Sequence, residues 1–460
     1  MAICEVTLKP FLEGRAFTHM EVSLRLDALE PAADGALWKM QINTVSIPGC
    51  VPEDLRATDG LGELALTVRE EKPYPYVYQV YTADRKPEGP VALRYRVLPR
   101  IYEPSHRCGP YFDLKAEDGG ANVAGISFLP VLEGFTGEIR LHWDLTAMPE
   151  GARGVNTFGE GDFTYNGKFE KLRQSYYAMG LLHSITEGDF GFYWLAEPSF
   201  DVEAIAEYVK KLYAVMSPFF RDTESVYRVF VRKDPPFPGS GGTALLRSYM
   251  FGWNENKPVS VQEKQNILAH EMVHNWPSLN DNPYGSTSWY SEGTAEYYSI
   301  LLPLRAGLID LPGALHEIQT RTDAYYTNPT RGLDNMEAAR QSWTDRRTQK
   351  IPYGRGIFFL ANCDVKLKAA TEGRVGIDDV VLRILELDRQ GVTLGNEIFL
   401  QTVQALSGLD LREDWKRMRS GEAFAPLPGS FDGHFTVRET QATEADTGKP
   451  CISYAWGIKE

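Results

Sequence analysis

The sequence predicts a multi-domain α+β protein with a β-sandwich-like N-terminal domain, a mixed α+β middle domain and a C-terminal helical lobe. Three patterns carry that expectation. The first third alternates apolar and polar residues in short runs: Met20, Val22, Leu24 and Leu26; Val91, Leu93, Tyr95 and Val97; Ile139, Leu141, Trp143 and Leu145. A period of two, broken by Gly, Pro and Asp, is that of half-buried strands and predicts an antiparallel sheet or sandwich over residues 1–160. From about residue 200 the pattern becomes mixed, with Val202, Ile205, Val209, Leu212 and Met216 at helical spacing ahead of a strand-like Val226 to Val231. Beyond about 300 the strand signal fades. Ile377 to Leu387, bounded by Gly376 and Gly391, and Asn396 to Leu406 read as helices. The expected division is therefore 1–160, 161–300, 301–425 and a tail, 426–460, whose short apolar ending Ile452 to Trp456 periodicity does not place.

A chain of 460 residues, 43% hydrophobic and 24% charged, can bury a large core and belongs with ordinary globular proteins. Its formal net charge of -14 argues against a nucleic-acid partner, because phosphate binding needs a basic footprint. Cys4, Cys50, Cys108, Cys363 and Cys451 are odd in number and lie at no metal-ligand spacing, so they are expected to stay thiols. Glu5, Lys9, Glu13 and Arg15 interrupt the first stretch, and no run approaches the ~20 apolar residues of a membrane span. A cytoplasmic location with no membrane partner is the default expectation. Oligomeric state is not legible.

The chemistry concentrates after residue 260. Ser260-Val-Gln-Glu263 has the form of a capping box, and Ile267, Leu268, Met272 and Val273 follow it, so a helix is predicted to begin near 261. His270 and His274 are one helical turn apart on that helix, with Glu271 beside them. Two imidazoles on one face can share a cation, and zinc favours such nitrogens plus a carboxylate, with one position left for water. The nearest downstream carboxylate in a helical context is Glu292, in Trp289-Tyr-Ser-Glu-Gly-Thr-Ala-Glu-Tyr. Glu296, one turn later, is the competing carboxylate or the acceptor that fixes a ligating histidine's tautomer. The expected cofactor is one Zn2+ per chain, held by His270, His274 and Glu292.

His-Glu-Met-Val-His-Asn-Trp followed by Trp-Tyr-Ser-Glu-Gly-Thr-Ala-Glu-Tyr-Tyr resembles the thermolysin-like gluzincin metallopeptidases, above all the glycyl aminopeptidase family. The aminopeptidase N and leukotriene A4 hydrolase family is a more distant likeness. The likeness continues into Asn328-Pro-Thr-Arg331, the Trp343 segment, Tyr353-Gly-Arg-Gly356 and the Asp364-Val-Lys-Leu helix, covering about residues 170–420. It implies a thermolysin-like catalytic domain behind a β-rich one. It also implies Glu271 as general base and Tyr353 as donor to the tetrahedral oxyanion. Two departures stand out. That family often ends in a PDZ domain, for which the stretch after Pro426 leaves no room. Its exopeptidase relatives carry a Gly-rich strand with a glutamate that grips the substrate's free amine, whereas Gly239-Ser-Gly-Gly-Thr-Ala-Leu-Leu-Arg-Ser248 has no acid. Gly241, Gly242 and Thr243 in that stretch remain candidates for pairing with a substrate backbone, and an ordinary loop is the alternative.

The expected function is hydrolysis of a peptide bond by a zinc-activated water, with Glu271 taking and returning the proton. The resemblance implies an aminopeptidase acting on small N-terminal residues such as Gly or Ala. The missing acid favours an endopeptidase or a tailoring amide hydrolase. A non-catalytic scaffold is the third reading. Glu255, Glu296 and Arg247 are further groups whose placement bears on how an amine or a carboxylate is received.

Overall fold

The computed structural model describes residues 2–45, 47–104, 106–236, 241–256 and 261–460, the Glu263 side chain excepted. Its contacts divide the chain into two compact units, Met1–Glu207 with Glu224–Val261, and Tyr208–Thr223 with Gln262–Glu460.

The first unit is built on sheets. A seven-stranded sheet runs in the order Phe163–Lys168, Thr136–Trp143, Ile3–Glu13, Ala16–Leu26, Val91–Val97, Glu53–Asp59 and Gly62–Glu63. The period-two residues face inward: Met20, Val22, Leu24, Leu26, Val91, Leu93, Tyr95, Val97, Ile139, Leu141 and Trp143 are all buried, while Leu145 lies past its strand and is half-buried. They share one core with Trp38, Met40 and Tyr81 of a four-stranded sheet and with Ala121, Val123, Tyr177 and Met179 of a five-stranded one, which is sandwich-like packing. Two features depart from the sequence reading. Ile3–Leu8 pairs with Glu138–Trp143 in parallel, although an antiparallel sheet was expected. Alternation reports which face is buried and says nothing of strand direction, and the long intervening chain makes the parallel return possible. Strand pairing also continues past residue 160, since Phe163–Lys168 lies beside Thr136–Trp143 and Tyr176–Gly180 beside Arg153–Asn156.

A mixed sheet completes this unit, in the order His183–Glu187, Phe190–Trp194, Tyr227–Lys233, Ser248–Trp253 and Gly242–Leu245. The expected strand at 226–231 is Tyr227–Lys233, and Gly242–Leu245 is an edge strand. The helix between the second and third of these strands is Val202–Phe219, as its spacing predicts.

The second unit is helical, as expected beyond residue 300, and starts earlier. Besides the greater part of the Val202–Phe219 helix, which falls in this unit, it holds the helices Val261–Val273, Ser288–Arg305, Leu311–Tyr326, Asn335–Gln341, Arg346–Gln349, Ile351–Ala370, Ile377–Arg389, Asn396–Ser407 and Arg412–Arg419. The helix expected from 261 is present; the capping box expected at its start lies outside the described residues, in Ser260 and the side chain of Glu263. The tail forms a hairpin, Phe435–Thr443 with Pro450–Ile458. Trp456 donates from its indole to Thr322 Oγ1 at 2.8 Å and from its backbone to Gln319 Oε1 at 3.0 Å, which seats the hairpin on the 311–326 helix. All five cysteines are free and buried, and no described helix is long and apolar enough to cross a membrane.

Candidate metal centre

Four helices of the second unit present the polar cluster. The 261–273 helix carries His270 and Glu271, both buried, and His274 follows directly after its end. A connection led by Asp281 then starts the 288–305 helix: its carboxylate accepts from the backbone N–H of Gly285 at 2.9 Å and of Thr287 at 2.7 Å. Those bonds fix the turn that leads into the helix carrying Glu292 and Glu296. The 351–370 helix brings Tyr353, and the 311–326 helix brings Arg321.

Three atoms converge. His270 Nε2 lies 3.1 Å from His274 Nε2 and 3.3 Å from Glu292 Oε2, and the last edge of the triangle, His274 Nε2 to Glu292 Oε2, is 3.6 Å. Zinc bonds of about 2.0–2.1 Å in a tetrahedral set place neighbouring ligand atoms about 3.3 Å apart, so the triangle fits such an ion. Glu292 Oε2 is buried and takes no hydrogen bond among the described residues. A buried carboxylate oxygen of that kind is costly unless a cation faces it. His270, His274 and Glu292 are also the described residues whose ligand atoms could jointly hold a metal.

The electrostatics favour positive charge at this point. Burial opposes protonation of His270, yet Glu292 and Glu296 outweigh it and raise its pKa to about 10. Burial opposes ionisation of Glu292, and the two histidines nevertheless hold it well below the usual carboxylate range. The same pull that retains a proton between imidazole and carboxylates would retain a divalent cation. Glu271 is different. Its burial pushes the carboxyl up, with His270 and His274 opposing.

Glu296 does not join the triangle. Its Oε1 lies 3.2 Å from His270 Nδ1, the ring nitrogen on the far side from Nε2, and its Oε2 receives the Arg321 Nε–H. Both oxygens therefore face away from the convergence point. Tyr353 stacks on His270, with ring centroids 5.6 Å apart and planes 7° from parallel. Burial holds its hydroxyl protonated far above ordinary pH, and the carboxylates of Glu292, Glu271 and Glu296 add to the effect. The exposed Lys350 sits over the same ring, its Nζ 4.3 Å from the Tyr353 ring centroid.

The remaining candidates lie in the first unit. Gly242 and Thr243 begin the edge strand and Gly241 precedes it, its carbonyl accepting from Gly252 N–H at 3.1 Å. Alternation then turns the backbone groups of Gly242 and Ala244 away from the neighbouring strand. Thr243 is held by its neighbours: its Oγ1 accepts from Tyr111 N–H at 3.0 Å, and its carbonyl from the Tyr176 hydroxyl at 3.1 Å. Glu255 pairs with Lys233. Arg247 donates to the carbonyls of Val226 at 2.8 Å and Glu224 at 2.6 Å. Sequence reasoning missed Arg321, Asn266 and Lys350. Asn266 was findable, one turn before His270 on the same face, whereas nothing in the local pattern separates Arg321 from other helix arginines.

Residues 263–353 match the family model of the M61 glycyl aminopeptidases, a stretch that holds every residue of the cluster. No curated protein matches the chain at significant sequence similarity. Among solved structures, an aminopeptidase N family protein from Idiomarina loihiensis aligns with a TM-score of 0.70 at 15% identity, over 97% of this chain and 80% of that one. An M1 zinc metallopeptidase from Deinococcus radiodurans, bound to a Tyr-Ser-Ala substrate, aligns at 0.58 and 15% identity over 93% and 95%. Yeast leukotriene A4 hydrolase in complex with bestatin aligns at 0.59 and 14% identity over 93% and 68%. At these identities the likeness is one of fold. Through residues 263–353, the segment that holds its candidate metal centre, the chain is similar to the M61 glycyl aminopeptidases.

Proposed function

We propose that this chain hydrolyses peptide bonds as a one-zinc aminopeptidase, with His270, His274 and Glu292 holding the ion, and that it prefers small N-terminal residues such as Gly or Ala. The observation that carries the reading is the Nε2, Nε2, Oε2 triangle with edges of 3.1, 3.3 and 3.6 Å, flanked by Glu271 and Tyr353. A bound zinc supplies Lewis-acid polarisation of the scissile carbonyl and lowers the pKa of a water to about 7.

The protein's own groups do the rest. Glu271 accepts a proton from the attacking water and returns it to the leaving amine nitrogen, so no net proton is consumed by the carboxylate. Tyr353 donates its O–H to the carbonyl oxygen as negative charge develops there, and it stays protonated for that task because it is buried among carboxylates. Glu296 Oε1, 3.2 Å from His270 Nδ1, favours the proton on that nitrogen, which leaves Nε2 as the lone-pair nitrogen. Gly241 and Thr243 are tied to their neighbours, and the outward backbone groups of Gly242 and Ala244 that they hold in place are suited to pairing with an extended substrate.

One observation favours a second reading, an endopeptidase or a tailoring amide hydrolase: the stretch from Gly241 to Ser248 has no acid, and Glu296 is turned toward His270 and Arg321. A paired assay separates the two. Gly- and Ala-terminated peptides, free and N-acetylated, are compared at matched enzyme concentration; the aminopeptidase predicts cleavage of the free forms alone. Equal or faster cleavage of the acetylated forms would overturn it and leave the zinc chemistry standing.

A further inference from the structure

We propose that Arg321 is a positioning residue for the metal centre, setting zinc affinity by clamping Glu296 against His270; the proposal rests on the zinc reading above. Arg321 lies on the 311–326 helix with its side chain 11% exposed, and each arm of its guanidinium is committed. Nε donates to Glu296 Oε2 and Nη2 to Asn266 Oδ1. Nη1 donates to Glu317 Oε2 at 2.6 Å and to the Glu317 carbonyl at 2.9 Å. A planar fork held at three points has one orientation, which a flexible ammonium could not reproduce.

The partners matter because of where they sit. Asn266 is on the same helix as His270, one turn earlier, and Glu296 is on the helix of Glu292. Arg321 therefore ties together the two helices that supply the ligand triangle, from a third. Through Glu296 it also reaches a ligand ring, because the carboxylate oxygen not bound to Arg321 lies 3.2 Å from His270 Nδ1. Without the guanidinium, Glu296 would be a buried anion facing one imidazole, and burial of that kind drives a carboxylate to rotate toward water. That rotation takes the carboxylate away from Nδ1 and frees the ring to turn. The residue after Arg321 is Thr322, which receives the Trp456 indole, so the C-terminal hairpin holds the helix that presents the clamp.

The test is a double-mutant cycle on zinc affinity, read by competition with a chromogenic chelator, with thermal midpoints of the zinc-free proteins alongside. Arg321→Gln and Glu296→Gln are each expected to weaken zinc about 10–100-fold, the usual loss for partners that orient a ligand. Their double variant should be little weaker than the poorer single, because both changes break one chain of contacts. Arg321→Lys, which keeps the charge and is the milder change should Arg321→Gln not fold, should also bind zinc more weakly and show the same non-additivity with Glu296→Gln. Multiplicative losses in either cycle, or wild-type affinity in both Arg321 variants, would overturn the proposal. A wild-type protein that binds no zinc would overturn the metal reading itself.

Discussion

Gly293 and Gly356 meet backbone to backbone: a Cβ built on Gly356 would lie 2.5 Å from the Gly293 Cα and 2.0 Å from the Trp289 carbonyl oxygen. The contact joins the helix of Glu292 to the helix of Tyr353, one residue after the first and one turn after the second. Neither neighbour is a flexible side-chain end that could move aside. Gly356→Ala should therefore cost at least the roughly 1–3 kcal/mol of an overpacked site. Because the strain lies between these two helices, zinc affinity should fall with stability. Denaturant midpoints and a chelator competition measure the two; an Ala variant unchanged in both would mean the helices are free to separate at no cost.

Base and ligand are separable tasks in the cluster. His270→Ala or His274→Ala should lose metal and turnover together. Glu271→Gln should keep zinc, since its side chain is not part of the triangle, and lose about 100–10,000-fold in kcat, the range for a positioned acid–base group. Elemental analysis gives about one zinc per chain in the Gln variant if this is right. Full zinc in either His variant, or near wild-type kcat in the Gln variant, contradicts the assignment.

Tyr353→Phe removes one hydroxyl and leaves the ring stacked on His270. Zinc should stay bound while kcat falls about 100–1,000-fold, the effect of one lost oxyanion donor. The companion variant Glu292→Ala should weaken zinc far more than Glu296→Ala, because only the first removes an atom of the triangle. An unchanged kcat in the Phe variant takes Tyr353 out of the chemistry.

Stability of the first unit depends on a charge pair buried in it. Arg232 Nη1 donates to Asp113 Oδ1 at 2.6 Å, and the two side chains are 0% and 1% exposed. Asp113→Asn removes the carboxylate that faces that guanidinium and should destabilise by about 3–5 kcal/mol. Burial opposes ionisation of Asp113, but Arg232, the Tyr102 hydroxyl and Arg100 outweigh it and hold its pKa below the usual value. A depressed carboxylate pKa contributes stability that is present above the unfolded value of about 3.9 and is lost as pH falls through the folded one. Wild-type stability should thus drop on acidification below about pH 4, and the Asn variant should show a smaller drop. Parallel acid-denaturation curves would contradict this.

What the sequence determined by itself is what depends on local spacing. His270 and His274 share a helix face because four residues make about one turn, and the core face of the N-terminal strands is readable because alternation has a period of two. The cluster's short-range members needed nothing else. Tertiary structure decided the remainder. Glu292 and Glu296 are also one turn apart and equally acidic, and only the crossing of their helix with the 261–273 helix puts the first at Nε2 and turns the second to Nδ1. Arg321 enters through a third helix. The parallel return of Glu138–Trp143 onto Ile3–Leu8 is likewise long-range, and so is the seat of the C-terminal hairpin on the 311–326 helix. Contacts between residues far apart in the chain depend on how whole elements pack, and local periodicity, which reports only the buried face of each element, carries no term for their partner.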